Sequence, residues 1–207
     1  MTVAAIVVAG GRGERFGGQK QFAKLGGRTL AAHSVEQSRS VADFVVVVVP
    51  EDYLGDGEGA DLVVTGGETR SDSVRAGLVV CDDAQFIVVQ DAARPLASTQ
   101  LFEAVLAAVR DGAAAAIPGV TVSDTIKQVA GGVVVSTPPR DQLVAVQTPQ
   151  AFQAEVLRRA HASSGVATDD AGLVEALGES VVVVAGERTN IKVTNPEDLD
   201  HLKMSGV

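Results

Sequence analysis

The sequence is short of everything that would staple it together or take it out of water. It has one cysteine, Cys81, so no internal disulfide can form, and its three histidines make no Cys/His cluster of zinc-binding spacing. Its longest apolar runs, among them AAIVVA, FVVVVVP and VVVVA, fall far short of the roughly 20 residues that cross a bilayer. The amino-terminal MTVAAIVVAGG lacks the basic region of a signal peptide and runs directly into glycines. Cations are outnumbered, 17 Lys and Arg against 26 Asp and Glu for a formal charge of −9, which argues against a broad nucleic-acid surface. These absences predict a soluble, cytoplasmic protein with neither nucleic acid nor membrane as partner. What is plentiful is aliphatic: 46% of the 207 residues are hydrophobic. A chain of this length buries about 70% of its unfolded surface without disulfides or a structural metal, and reads as one domain over 1–207.

β-Branched runs at 3–9, 44–49, 61–64, 86–90, 113–117, 181–185 and 191–193 read as strands, several of them nearly continuous, as in parallel strands covered on both faces. Helical patterns fall between them at 29–39, 70–80, 99–110, 152–162 and 170–177. In 99–110, Leu101, Phe102, Val105, Leu106 and Val109 form one stripe at helical spacing. A last helix starts with Asn195 as N-cap, Pro196 at the first helical position, and Glu197 and Asp198 in the first turn. The alternation predicts an α/β fold, a Rossmann-like, mostly parallel sheet flanked by helices with right-handed crossovers. The stretch 119–146 breaks the rhythm. Its strand-like runs at 124–129 and 133–136 flank Gly131-Gly132, which predicts a β-hairpin protruding as an arm. Such an arm exposes unpaired edges unless something covers them, and a second subunit is the expected cover.

Charge is uneven. Residues 1–28 hold Arg12, Arg15, Lys20, Lys24 and Arg28 against one acid, Glu14, with glycines interleaved in AGGRGERFGGQK. Glycine lets backbone N–H groups approach an anion, and the loop after the first strand of an α/β sheet lies at the ligand-binding edge. A dinucleotide fingerprint from Gly11 fails because Phe16 stands where the last glycine belongs. A Walker A loop from Gly13 to Gly18 fails because Gln19 precedes Lys20 and Gln21 replaces the Mg²⁺-binding hydroxyl. What is left is a glycine-rich loop with Arg15 and Lys20 reaching in, suited to a nucleoside triphosphate attacked at its α-phosphate. The D-x-D metal loop of glycosyltransferases is represented only by Asp198-Leu199-Asp200, which falls inside the last helix. His33, His161 and His201 read as helix-face residues and Cys81 as an inert helix-end thiol.

The amino-terminal loop resembles the AGGxGxRxG…K signature of the sugar-phosphate nucleotidyltransferases. GGETRSDSV (66–74), QDAARP (90–95), QTPQAF (147–152), TDDA (168–171) and NIKVTNPEDL (190–199) follow in that family's order across nearly the whole chain. The resemblance is to the cytidylyl-transferring branch. It implies transfer from CTP to 2-C-methyl-D-erythritol 4-phosphate, giving CDP-methylerythritol and pyrophosphate in non-mevalonate isoprenoid biosynthesis, with Mg²⁺ as cofactor in a homodimer. Ribitol 5-phosphate is the alternative acceptor, against which Ala93 in DAARP speaks weakly, and a non-catalytic nucleotide-binding module is the second alternative. Carried over by position, the resemblance makes Arg15, Lys20 and Lys192 catalytic. It assigns the nucleotide to Ala9, Gly10, Gly11, Gly13, Gly67, Arg70 and Ser73. It assigns the acceptor to Asp91, Arg94 and Thr148, with Thr125 and Arg140 reaching it from the partner's arm. Mg²⁺ would be held mainly by the CTP phosphates, with Asp91 the one candidate protein ligand. The chain departs from the family in a shorter loop between Arg15 and Lys20, and in Gln19 where a proline is common.

Overall fold

The computed structural model describes residues 2–163 and 167–204. The amino-terminal half runs β1 (Val3–Val8), β2 (Lys24–Leu25), β3 (Arg28–Thr29), α1 (Leu30–Arg39), β4 (Phe44–Val49), β5 (Leu62–Thr65), α2 (Arg70–Val79) and β6 (Phe86–Asp91). It continues with α3 (Thr99–Arg110), β7 (Ala115–Thr121), β8 (Gln128–Ala130), β9 (Val133–Ser136), β10 (Val144–Val146) and β11 (Gln150–Gln153). The chain closes with α4 (Ala154–Ala162), α5 (Asp170–Ala176), β12 (Val181–Ala185) and α6 (Pro196–Met204).

The central sheet has the order β10-β7-β11-β6-β1-β4-β5, with β12 also paired to β7. β6, β1, β4 and β5 are mutually parallel, as are β7 and β12, so the fold is α/β with a mostly parallel sheet. Its strands read as unbroken aliphatic runs because both faces are covered. Ala4, Ile6, Val46, Val48, Ile87 and Val89 pack on one face against α2, α4 and α5. Val3, Ala5, Val7, Val45, Val47 and Val88 pack on the other against α1 and α3. Each fully buried valine or isoleucine contributes about 1.5–3 kcal/mol of transfer free energy, which concentrates stability at β1 and its neighbours. A smaller cluster of Leu25, Leu30, Val193, Leu199 and Leu202 seats α6 on the β2–β3 hairpin.

Three segments differ from the sequence expectation. Phe152 belongs to β11 and not to the helix after it, which starts at Ala154. This short strand fills the gap between β6 and β7, pairing Phe152 with Ile87 and Ala115, and sheet context there overrides the helical spacing. Residues 191–193 form no strand, because the neighbour at that point is the loop after β6. Val193 N–H reaches Ala93 O at 2.8 Å, while Ile191 N–H turns back to Thr189 O. In the arm, β8 starts only at Gln128, and β8–β9 stands outside the central sheet. The turn between them is glycine for a geometric reason: Gly131 and Gly132 have φ of 55° and 79°, the pair of positive values that a tight hairpin turn matching strand twist requires.

Candidate active site

Parallel strands deliver their carboxyl ends to one edge of the sheet, and the loops after β1, β5 and β6 meet there. After β1 the chain folds back on Gly13, whose carbonyl accepts from Phe16 N–H at 2.9 Å and Gly18 N–H at 3.3 Å. Gly13 has φ +66°, and a Cβ on it would lie 1.8 Å from Gly18 O, so only glycine closes this loop. The buried Gln21 amide donates to Gly11 O at 3.0 Å and ties the loop to the turn that follows. Arg12 and Arg15 are left exposed on the loop, and Lys20 opens a short 3₁₀ turn, Lys20–Phe22.

The opposite wall is the start of α2. Thr69 and Asp72 form a reciprocal capping box, and the Thr69 hydroxyl, with Arg75 and Thr69 N–H adding to it, pulls the Asp72 carboxyl down to about 2. Ser73 projects from the first turn so close to the loop after β5 that a Cβ on Gly66 would lie 2.6 Å from Ser73 Oγ. The two walls leave a narrow slot with backbone exposed on both sides.

Between them lies a charge cluster. Asp91, the last residue of β6, is almost fully buried. Arg70 Nε donates to its Oδ1 at 3.0 Å and Lys192 Nζ to its Oδ2 at 2.5 Å. Burial alone would raise the Asp91 carboxyl, but the two cations win and hold it well below the usual carboxylate range. The Arg70 guanidinium is disfavoured by burial and rescued by Asp91 and Asp170, which keep it firmly charged. Asp91 and Asp198 favour the charge on Lys20 too, but are outweighed there. Burial, then the nearby Lys192 and Arg15, push its ammonium below the ordinary 10.5.

Lys192 is aimed by the segment that carries it. Asn190, fully buried, donates to Thr148 O at 2.8 Å, and Arg94 Nη1 donates to Asn190 O at 2.7 Å. Gln147 bridges the same segment, accepting from Glu187 N–H at 3.0 Å and donating to Glu187 O at 2.8 Å. β10 ends at Val146 and β11 starts at Gln150; in the break Gln147 N–H still reaches Pro118 O at 2.9 Å, while Thr148 is left free of the β7 ladder. Thr148 Oγ1 uses that freedom to accept from Asp91 N–H at 3.1 Å.

Together the walls enclose a cavity of about 240 Å³ to which Gly11, Arg15, Lys20, Arg70, Asp91 and Lys192 all contribute. It opens past Arg12 and Glu68 into a groove of about 630 Å³ bounded by Gln19, Pro50 and Asp52. Gln19 Nε2 donates to both Asp52 carboxylate oxygens at 2.9 Å, and Phe22 stacks on Tyr53 with ring centroids 4.8 Å apart, fastening the Lys20 turn to the 50–59 loop. Among the described residues no set of three His, Cys, Asp or Glu side chains converges as a metal site, and both Asp91 oxygens are already engaged by cations. The residues present therefore do not fit a protein-caged divalent ion.

A family model described as 2-C-methyl-D-erythritol 4-phosphate cytidylyltransferase matches residues 3–204. The chain belongs to this family. It is 50% identical to the 2-C-methyl-D-erythritol 4-phosphate cytidylyltransferase of Rhodococcus opacus, over 95% of this chain and 92% of that one. The protein of the same name from Frankia casuarinae is also 50% identical, over 95% of this chain and 78% of its own length. The crystal structure of the Thermus thermophilus cytidylyltransferase superposes with a TM-score of 0.86 at 35% identity, covering 99% of this chain and 98% of that one.

Within this member of the cytidylyltransferase family, ten of the residues singled out from sequence line one cavity: Ala9, Gly10, Gly11, Arg15, Lys20, Gly67, Arg70, Ser73, Asp91 and Lys192. Gly13 lies just outside, in an adjoining groove shared with Arg15 and Lys20. Thr148 and Arg94 sit behind the cavity as supports of Asp91 and of the Lys192 segment. Thr125 and Arg140 are exposed on the arm, where Arg140 Nη1 donates to Ser123 O at 2.7 Å. Arg12, Gln21 and Glu68 line the cavity without having been singled out. Arg12 carried a readable signal, a cation inside the glycine run; Gln21 and Glu68 carried none that spacing reveals.

Proposed function

We propose that this protein transfers the cytidylyl group of CTP to 2-C-methyl-D-erythritol 4-phosphate, releasing pyrophosphate, as the name of its family describes. The observation that carries the reading is the convergence of Arg15, Lys20 and Lys192 with a closed glycine loop on one cavity. Two polyanions must be brought together there, and fixed cations offset their repulsion. The acceptor's phosphate oxygen attacks the α-phosphorus; a new P–O bond forms, the bond to the β-phosphate oxygen breaks, and pyrophosphate leaves with the electron pair. A phosphate monoester with a second pKa of about 6 is already mostly dianionic at neutral pH, so the protein supplies neither nucleophile nor general base. In keeping with this, none of the three histidines lines the cavity.

Arg15 and Lys20 stabilise charge on the transferring phosphoryl group, and Lys192, anchored on Asp91, orients the acceptor phosphate. Gly10, Gly67 and Ser73 form the slot for the cytosine and ribose. Mg²⁺ is the proposed cofactor, carried on the triphosphate. The protein is cytoplasmic in this reading, and no described helix is long and apolar enough to cross a membrane. The working unit is a homodimer of single-domain subunits, in which the arm within 119–146 covers its exposed valines on the partner and presents Thr125 and Arg140 to the partner's acceptor. Val129, Val133, Val134 and Val135, each more than half exposed, support it.

The test is pyrophosphate release with CTP, Mg²⁺ and each acceptor in parallel. Turnover with methylerythritol 4-phosphate is expected. Turnover with ribitol 5-phosphate alone would keep the chemistry and move the pathway, and CTP binding without turnover on either acceptor would leave a nucleotide-binding module.

A further inference from the structure

Arg70 serves two carboxylates at once. Its Nε holds Asp91, and its Nη1 donates to Asp170 Oδ2 at 2.7 Å, a residue 100 positions away at the start of α5. The Asp170 side chain is 0% exposed and does not line the cavity. Its other oxygen, Oδ1, lies 3.0 Å from Nε2 of His161 on α4, whose side chain is 2% exposed. Facing a carboxylate oxygen, which only accepts, His161 Nε2 is the donor of this pair, while Nδ1 is buried without a partner. The result is an unbroken line, His161–Asp170–Arg70–Asp91–Lys192, running from the helical layer to the cavity.

We propose that Asp170 is a positioning residue that sets the geometry of Lys192 through Arg70 and Asp91. A guanidinium facing a lone carboxylate prefers the bidentate fork, in which two N–H groups take both oxygens. By holding Nη1, Asp170 fixes the rotation of the guanidinium so that Nε alone meets Asp91 Oδ1 while the buried Nη2 faces no partner, and Asp91 keeps Oδ2 for Lys192. A fully buried carboxylate is costly to place, and this one is tolerated because both oxygens are bonded. His161 prevents Asp170 from turning, so that the division of Arg70 is fixed before substrate arrives. The orientation of Lys192 is thus decided by residues on α4 and α5 that touch no substrate.

The proposal rests on the cytidylyl-transfer reading, and its test separates the two. Steady-state kinetics and acceptor-free CTP binding are measured on the full-length wild type, Asp170→Asn, Lys192→Ala and the double variant. In Asp170→Asn, kcat falls by about tenfold to a hundredfold, the size of effect a misplaced group produces, the acceptor KM rises and CTP affinity is unchanged. In the Lys192→Ala background the same substitution adds little, because both act through one contact. Equal losses in both backgrounds, or a loss of CTP affinity alongside a lowered Tm, would mark a merely structural residue and overturn the proposal. If Asp170→Asn does not fold, His161→Phe, which removes the donor holding Asp170 Oδ1, shows the same pattern to a smaller degree while His161→Gln, which keeps a donor there, stays near wild type; unchanged kinetics in His161→Phe would overturn the proposal. A wild type silent on every acceptor while binding CTP would sink the reaction itself and this proposal with it, an outcome distinct from an active wild type indifferent to Asp170.

Discussion

At the end of β6 and the start of α2 the charged side chains are gripped by partners about a hundred residues away in sequence, while the β8–β9 arm holds its valines out to water. The two regions use their residues in opposite ways. The cavity wall is stabilised within one chain: Asp91 is nearly inaccessible, yet Arg70 and Lys192 keep it charged. Among the described residues nothing covers Val133, at 67% exposed, or Val129, at 60%. The comparison teaches that a single chain assembles the cation-lined cavity by itself and leaves Thr125 and Arg140 apart from it, on an exposed arm.

The largest expected effect strikes the self-sufficient region. Lys20→Ala removes the cation proposed to face the transferring phosphoryl group, and kcat is expected to fall by about 10²–10³ while CTP still binds, as pyrophosphate release and calorimetry would show. Next is Asp91→Ala, which leaves Arg70 and Lys192 without their shared partner. Denaturant unfolding should register a loss of about 2–3 kcal/mol, at the lower end for a broken buried pair because the Lys192 side chain is 41% exposed. Unchanged stability would mean that Asp91 is not the keystone of the cluster.

The arm should respond in the reverse manner. Val133→Asp places a charge on a side chain already in water, so the unfolding free energy of the isolated subunit stays within about 0.5 kcal/mol. If the arm is the interface of the proposed dimer, sedimentation should instead show that dimer lost, with activity falling alongside it. A dimer that survives would assign its interface to another face. Smaller still is a pH effect. Because Lys20 is pushed below the ordinary 10.5 and acts as a cation, its charge is present at lower pH and lost as pH rises through its depressed pKa. The alkaline limb of kcat/KM therefore falls earlier than a free lysine would dictate, and Lys20→Arg moves it upward; a limb at or above 10.5 contradicts the crowding of cations described here. Gln19→Ala, which deletes exposed hydrogen bonds to Asp52, should cost no more than about 1 kcal/mol in kcat/KM.

The same contrast governs what the residues reveal before folding. Strands covered on both faces announce themselves as unbroken valine runs, and β1, β4 and β6 were legible for that reason. The Gly131-Gly132 turn was legible because a tight hairpin demands positive φ at both positions. β11 was not: QTPQAF has no alternation, and Phe152 is a strand residue only because β6 and β7 leave a gap for it. Asp91 and Lys192 could be singled out by motif, but the line that joins them through Arg70 to Asp170 and His161 spans separations that no local period records. Thr148 and Arg94 could be named as site residues, while their work as props behind Asp91 and Asn190 depends on the break between β10 and β11.

Subunit complementation tests the central claim most directly. Lys20→Ala and Arg140→Ala are each made, shown to be crippled alone, and mixed under conditions that exchange subunits. If one chain supplies the cation loop and its partner supplies Arg140, each mixed dimer regains one intact site, and a one-to-one mixture recovers about a quarter of wild-type turnover. No recovery, with mixed dimers demonstrably formed, would mean that the arm serves its own chain's site or none.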